Sequence, residues 1–194
     1  MYNEKTIYIE DEVINPACRI LLRGELPGVS DSHVKEVIAQ TLVDEQFHIL
    51  MCLEVCNSAR ERHTLQSLKL PKPRLIERVE QAIHDASTHE EVALVKMAYA
   101  LVAEMTINIY LKALSDDTTI QPLNRINTDM HRRDEAAHST IFRELGISIY
   151  RGLNGGQARA SRAISVAHSM TLQSLIIPLG RTSWHTWRFH RRKL

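Results

Sequence analysis

Two short segments, "DEQFH" at 44–48 and "DEAAH" at 134–138, constrain this chain more than any other feature. Each puts a glutamate and a histidine three residues apart, Glu45 with His48 and Glu135 with His138, inside a long amphipathic stretch. On a helix, residues three apart share a face, so both pairs point inward with the apolar residues around them. Carboxylates and imidazoles on an apolar face are costly unless a cation meets them. Two Glu-x-x-His helices in a bundle make half of a carboxylate-bridged dinuclear iron or manganese site, whose other half is one glutamate from each of two further helices.

Both further glutamates are found. Glu104 lies in an apolar helical stretch with Ala100, Leu101, Ile107 and Leu111 on its own face. Glu10 has Ile7 three residues before it and Val13 and Ile14 three and four after, whereas Glu12 shares a face with polar Asn15 and Arg19. Glu10 is therefore the better candidate. The pattern is then a repeat: Glu10, 33 residues, Asp44-Glu45-x-x-His48, and Glu104, 29 residues, Asp134-Glu135-x-x-His138. Each half is a helical hairpin, and a pseudo-twofold axis would bring the halves together on a metal pair.

Helical periodicity runs through the rest of the chain. The first helix is expected from Lys5 to Arg23, with Ile7, Val13, Ile14, Ala17, Cys18 and Leu21 inward, until "GELPG" breaks it. A second opens at candidate caps Ser30 to Ser32 and carries Val34, Val37, Ile38, Thr41, Ile49 and Cys52 over about seven turns. A short amphipathic segment spans about Arg74 to Ala86, and Thr88 with Glu91 forms a capping box before the helix that holds Glu104. A fifth helix is expected from about Ile120 to Leu145 and, after "NGG", a sixth from about Gln157 to Ile176, closed by Pro178 and Gly180. No stretch alternates as a strand would. The expected fold is all-α: one ferritin-like four-helix bundle with a dinuclear metal centre over about 5–145 and additional C-terminal helices over about 154–194.

A formal net charge of +1 gives no drive toward nucleic acid or anionic lipid, and no apolar run approaches the roughly 18 residues of a membrane span. The opening "MYNEKTIYIEDE" lacks the basic-then-apolar layout of a signal peptide, and three cysteines cannot all pair within the chain, so a reducing cytoplasm is expected. Cys52 and Cys56, beyond His48, are expected as small core residues rather than as thiolate ligands. His33, His63, His84, His89, His168, His185 and His190 have no partnering spacing. In the basic, aromatic tail "WHTWRFHRRKL", Trp184 and Trp187 are expected to dock on the bundle while the charges stay solvated. A one-component transcription regulator of this length would need a helix-turn-helix near its start, where two long helices with inward acids stand instead.

The doubled pattern, together with His131 four residues before Glu135, resembles the p-aminobenzoate N-oxygenase family of ferritin-like diiron enzymes over about residues 5–145. The resemblance implies that Glu45 and Glu135 bridge two irons, that Glu10 and His48 complete one iron, and that Glu104, His131 and His138 complete the other. It also implies an enzyme that uses dioxygen and electrons from an external donor to oxidise a small amine, often an arylamine, to a hydroxylamine, nitroso or nitro product. Members of the family carry a substantial helical region before the first ligand glutamate, which here stands at position 10. Ferritin-type ferroxidases need no third imidazole, and desaturases and ribonucleotide reductase subunits use two, so His131 argues against both. An oxidase of the same fold acting on a C–H or aldehyde substrate is the alternative. Mixed oxygen and imidazole donors suit iron, with manganese as second choice, and four carboxylates offset the charge of two ferrous ions. Asp44 and Asp134 are expected to accept from the imidazole N–H of the opposite hairpin without touching metal. The expected partners are thus an amine, an electron donor and, as an assembly, a second copy of the chain.

Overall fold

The structure, a computed structural model, describes residues 2–156. The expected sixth helix and the Trp184 to Lys193 tail lie outside the described residues. Seven elements follow one another: α1 (Tyr2–Ile9), a π-helical turn (Glu10–Ile14), α2 (Asn15–Arg23), α3 (Ser32–Arg62), α4 (Arg74–Asp85), α5 (His89–Asp116) and α6 (Pro122–Gly152). No strand occurs among the described residues. The first three elements form one long rod that packs on α3, α5 packs along α6, and α3 and α6 close the bundle against each other. The short α4 lies outside, against α5.

The first rod is not the uninterrupted helix expected. Pro16 has no N–H to give and its ring crowds the carbonyl one turn earlier, which an α-helix tolerates poorly away from its first turn. The chain answers with a wider turn, in which the Asn15 N–H reaches back five residues to the Glu10 carbonyl. One extra residue in the turn shifts the face that follows it. Val13, Ile14, Ala17, Cys18 and Leu21 are all buried, and so is Asn15, which the periodicity had placed on a polar face. Gly24 ends the rod in a left-handed conformation, φ 69°, that glycine adopts without cost.

Asp31 is the cap of α3, its carboxylate accepting from His33 N–H at 2.7 Å. From there Ile38, Thr41, Glu45, His48, Cys52 and Val55 are buried at alternating spacings of three and four. The matching stripe of α6 is Thr128, His131, Glu135, His138, Phe142, Leu145 and Ile149. These are two seams of the kind along which helices pack side by side. The last apolar members explain why α6 runs two turns beyond the expected end at Leu145. At α5, Thr88 Oγ1 accepts from Glu91 N–H at 3.1 Å, while the Glu91 carboxylate accepts from Ser87 N–H at 2.7 Å, one residue before the cap. By length and composition α5 could cross a membrane, with a mean hydropathy of 1.5 over its best window. An unbroken apolar run misses it because Lys96 and Glu104 interrupt the sequence. Half of that window is buried inside the bundle, where α5 is the central core helix.

Candidate metal centre

Glu10 comes from the π turn, Glu45 and His48 from α3, Glu104 from α5, and His131, Glu135 and His138 from α6. All seven side chains are buried, at 3% exposure or less. Glu10, His48, His131 and Glu135 each bring one donor atom within 4.8 Å of the others. Glu45, His48, Glu135 and His138 do the same, as do Glu10, Glu45 and Glu104. Glu45 and Glu135 sit in the middle: His48 Nδ1 lies 3.1 Å from Glu45 Oε2 and 3.5 Å from Glu135 Oε1, and His138 Nδ1 lies 2.9 and 3.5 Å from Glu45 Oε1 and Glu135 Oε1.

Only part of this closeness is hydrogen bonding, His48 Nδ1 with Glu45 Oε2 at 3.1 Å and His131 Nε2 with Glu135 Oε1 at 2.9 Å. Glu10 Oε2, Glu45 Oε1, Glu104 Oε2, Glu135 Oε2 and His138 Nδ1 are buried without a hydrogen-bond partner. Buried polar atoms are normally satisfied, so five orphans converging on one point ask for a ligand common to all. Carboxylate and imidazole donors fit a hard-to-borderline divalent ion, and two bridging glutamates fit a pair of them.

The electrostatics say the same. Burial first, then the Glu45 carboxylate, holds Glu10 well above the usual carboxylate range, and burial with Glu135 does so for Glu104. Burial would lower His138, but the Glu135 and Glu45 carboxylates outweigh it and push the ring up to about 11. His131 is raised as well, against its burial, by contacts that include Glu10 and Glu135. Glu135 goes down despite burial because His131 and His138 face it. Burial and the neighbouring His131 ring pull His48 below its ordinary value. A buried cluster of acids and imidazoles whose pKa values shift so as to keep it near neutral is one whose charge cations would balance.

Asp44 and Asp134 stand where the sequence placed them. His138 Nε2 lies 3.3 Å from Asp44 Oδ2, and His48 Nε2 lies 3.3 Å from Asp134 Oδ2, each across to the opposite hairpin. Glu12 is not in the cluster but pairs with Lys72 at 3.1 Å on the surface.

A family model of p-aminobenzoate N-oxygenase AurF matches residues 1–193. The chain belongs to this family. The 4-aminobenzoate N-oxygenase of Streptomyces thioluteus is 33% identical over 161 residues, which cover 82% of this chain and 48% of that protein. The chain thus spans about half the length of the curated relative it matches.

In this N-oxygenase family member His131 lies close to Glu10 as well as to Glu135. Its Nε2 lies 2.9 Å from Glu135 Oε1 and 3.4 Å from Glu10 Oε1, and its ring is 3.9 Å from that of His48.

Beside the cluster a cavity of about 130 Å³ opens between the first rod and α5, with Glu10 and Glu104 in its wall. Tyr2 and Tyr110 line it with ring centroids 5.3 Å apart, Ile9 and Ile107 add apolar surface, and exposed Lys5 and Arg74 also line it. The sequence reading assigned none of these to a cavity. Tyr2 and Thr6 do extend the stripe of Glu10 toward the chain start, a signal that was available; Arg74 comes from a separate element and left none.

Proposed function

We propose that the protein is a diiron N-oxygenase whose seven clustered residues hold two irons and whose cavity takes an arylamine bearing an acidic group. The orphaned donors at the inner wall of that cavity carry the reading, and membership of the family supports it. Glu45 and Glu135 would bridge, Glu10, His48 and His131 would hold one iron, and Glu104 and His138 the other. When bound, the irons supply the redox chemistry by which dioxygen, with two electrons from an external donor, is made to oxidise nitrogen.

The chain's own residues do the rest. Asp44 and Asp134 fix the ring orientation of His138 and His48 by accepting their outer N–H. Tyr2 and Tyr110 offer faces against which an aromatic ring can lie, with burial keeping the Tyr2 phenol protonated by raising its pKa. Lys5 and Arg74 attract the acidic group, so the amine leads toward Glu10 and Glu104. The apolar cavity wall keeps bulk water from the reacting nitrogen.

The test begins with anaerobic ferrous reconstitution and elemental analysis, where about two irons per chain are expected. Exposure to oxygen with a reductant and 4-aminobenzoate should then give hydroxylamino, nitroso or nitro product. One iron or less per chain, or a panel of amines left untouched while a hydrocarbon or aldehyde is oxidised, would overturn the proposal. Manganese as the metal would show in the same elemental analysis.

A further inference from the structure

The cavity and the outer face of α3 and α6 lie on opposite sides of the cluster. The first rod packs on α3, α3 on α6, α6 on α5 and α5 on the rod, so the four surround the cluster in that order. Glu10 and Glu104 reach the cavity, between the rod and α5. His48 and His138 reach the other side. Their Nε2 atoms lie 3.3 Å from Asp134 Oδ2 and Asp44 Oδ2, and those two aspartate side chains are 46% and 49% exposed. Each aspartate is thus the one side chain between a buried imidazole of the cluster and solvent.

The outer face is apolar where it flanks these aspartates. Val43 adjoins Asp44, Phe47 stands one turn after it and Leu50 a turn further on; Met130 is one turn before Asp134 and Ile126 one turn before that. All five are exposed, from 43% at Met130 to 68% at Val43. Together they present on the order of 500 Å², about one partner's share of the small interfaces of electron-transfer complexes and short of the roughly 800 Å² per partner of a standard stable interface. The acids on this face are Asp44, Glu54 and Asp134. Apart from the two imidazoles, none meets a cation in an ion pair among the described residues, and Arg132 and Arg133 beside Asp134 are both held by Asp129. An apolar patch set with free acids suits a partner whose own contact surface carries basic groups.

We propose that this face of α3 and α6 is where the external electron donor docks: a redox protein with basic residues around its exposed redox group, whose electrons enter by way of Asp134 with His48 and Asp44 with His138. The inference rests on the reading of the seven residues as iron ligands and supplies the donor's place in it. Two electrons pass from the reduced partner to two ferric ions, which become ferrous, and no bond to the protein forms or breaks. Substrate and donor use opposite walls, so an arylamine stays in the cavity while electrons arrive.

The probe is cytochrome c, a small redox protein with lysines around an exposed haem edge, titrated at low salt into the isotope-labelled, metal-free full chain. Amide resonances should shift from Val43 to Leu50 and from Ile126 to Ala137, and salt at about 0.15 M should remove most of the shift. Phe47→Arg puts a cation on the face and should weaken binding about fivefold, whereas Ile109→Arg, at a 75% exposed apolar position of α5, should not. In the iron-loaded ferric proteins, reduction by reduced methyl viologen, itself a cation, should slow by a similar factor in Phe47→Arg alone, with helicity and iron content unchanged. Shifts centred on Met105 and Ile109, no saturable binding, or equal effects of the two arginines would end the proposal. So would a wild-type dimer in sedimentation that Phe47→Arg turns into a monomer, because a second copy would then cover the face. A wild type that fails to take two irons would sink the iron reading and electron entry with it, while the map of shifts would still decide whether a basic redox protein docks here.

Discussion

Metal binding at this site should expel protons, because ligands must be deprotonated to bind and several of the buried acids and imidazoles hold theirs more tightly than usual. Burial and mutual repulsion hold Glu10 and Glu104 well above their ordinary 4.5, so both keep a carboxyl proton. His138, at about 11, and His131, raised well above its ordinary 6.5, keep an imidazolium proton each. His48 is lowered and Glu135 is lowered, so neither has a proton to lose at pH 7. Linkage then makes the overall two-ion binding constant rise with pH by as many decades per unit as protons are released. Calorimetry of anaerobic ferrous binding in two buffers of different ionisation enthalpy counts them directly. Release of one proton or none would show that the buried carboxyls are already ionised without metal, and the account of how the cluster balances its charge would fall.

The same shifts fix the stability of the metal-free protein: groups whose folded pKa is raised contribute stability that is complete below their unfolded value and lost as pH rises, from 4.5 upward for Glu10 and Glu104 and between 6.5 and about 11 for His138. Its melting temperature should therefore fall from pH 7 to pH 9, and fall less once metal is bound; parallel curves would refute this. Asp44→Asn and Asp134→Asn should each weaken ferrous binding by about 10- to 100-fold without loss of helicity, as read by titration and circular dichroism. His131→Ala should keep the bundle, retain the Glu104–His138 iron and lose most amine oxidation, since it removes a donor from the Glu10 end only; unchanged turnover would show that His131 is not a ligand. Gly28→Ala should cost about 1–3 kcal/mol in denaturant unfolding, because Gly28 has φ 82° and an added Cβ would lie 2.7 Å from the Ser148 carbonyl oxygen; metal binding should be unaffected.

What the sequence disclosed and what it hid follow from one distinction. A ligand set spread over four helices must keep strict helical spacing, so Glu45, His48, Glu135 and His138, and their outer partners Asp44 and Asp134, are visible as a pattern. So are Glu10 and Glu104, as acids that apolar stripes cannot otherwise explain. The π turn was hidden because periodicity averages over several turns and one extra residue barely changes it, although Pro16 was the cue. The approach of His131 to Glu10 was hidden for a different reason: the resemblance grouped His131 with Glu104 and His138, whereas its contact with Glu10 depends on how the first rod meets α6. Cys52 was legible as a core residue, but its bonds to Asn3 and Asn127 are a fact of three helices meeting. Lys5 and Arg74 meet only at the cavity, where no local pattern can announce them.

Those two cations also decide how a substrate would be turned in the cavity. The inner wall holds Glu10 and Glu104, whose charge bound metal ions would offset, so the inner end of the cavity offers an acid group no free cation. Exposed Lys5 and Arg74 line the same cavity, and neither is engaged by an ion pair among the described residues. Charge at the outer end therefore favours one orientation. Because the cations are exposed, each contributes little: an exposed ion pair changes an equilibrium by about fivefold or less. Lys5→Met with Arg74→Met should raise KM for 4-aminobenzoate by about tenfold at low salt, and by less as ionic strength grows. kcat should stay close to wild type, since nothing that touches the nitrogen has changed, and KM for uncharged aniline should not move. If aniline and 4-aminobenzoate lost affinity equally, the cations would be shaping the cavity rather than reading the acid, and the acidic group would have to be dropped from the proposed substrate. If kcat fell with KM unchanged, the substrate would be held in the reverse sense, with its acid toward the irons.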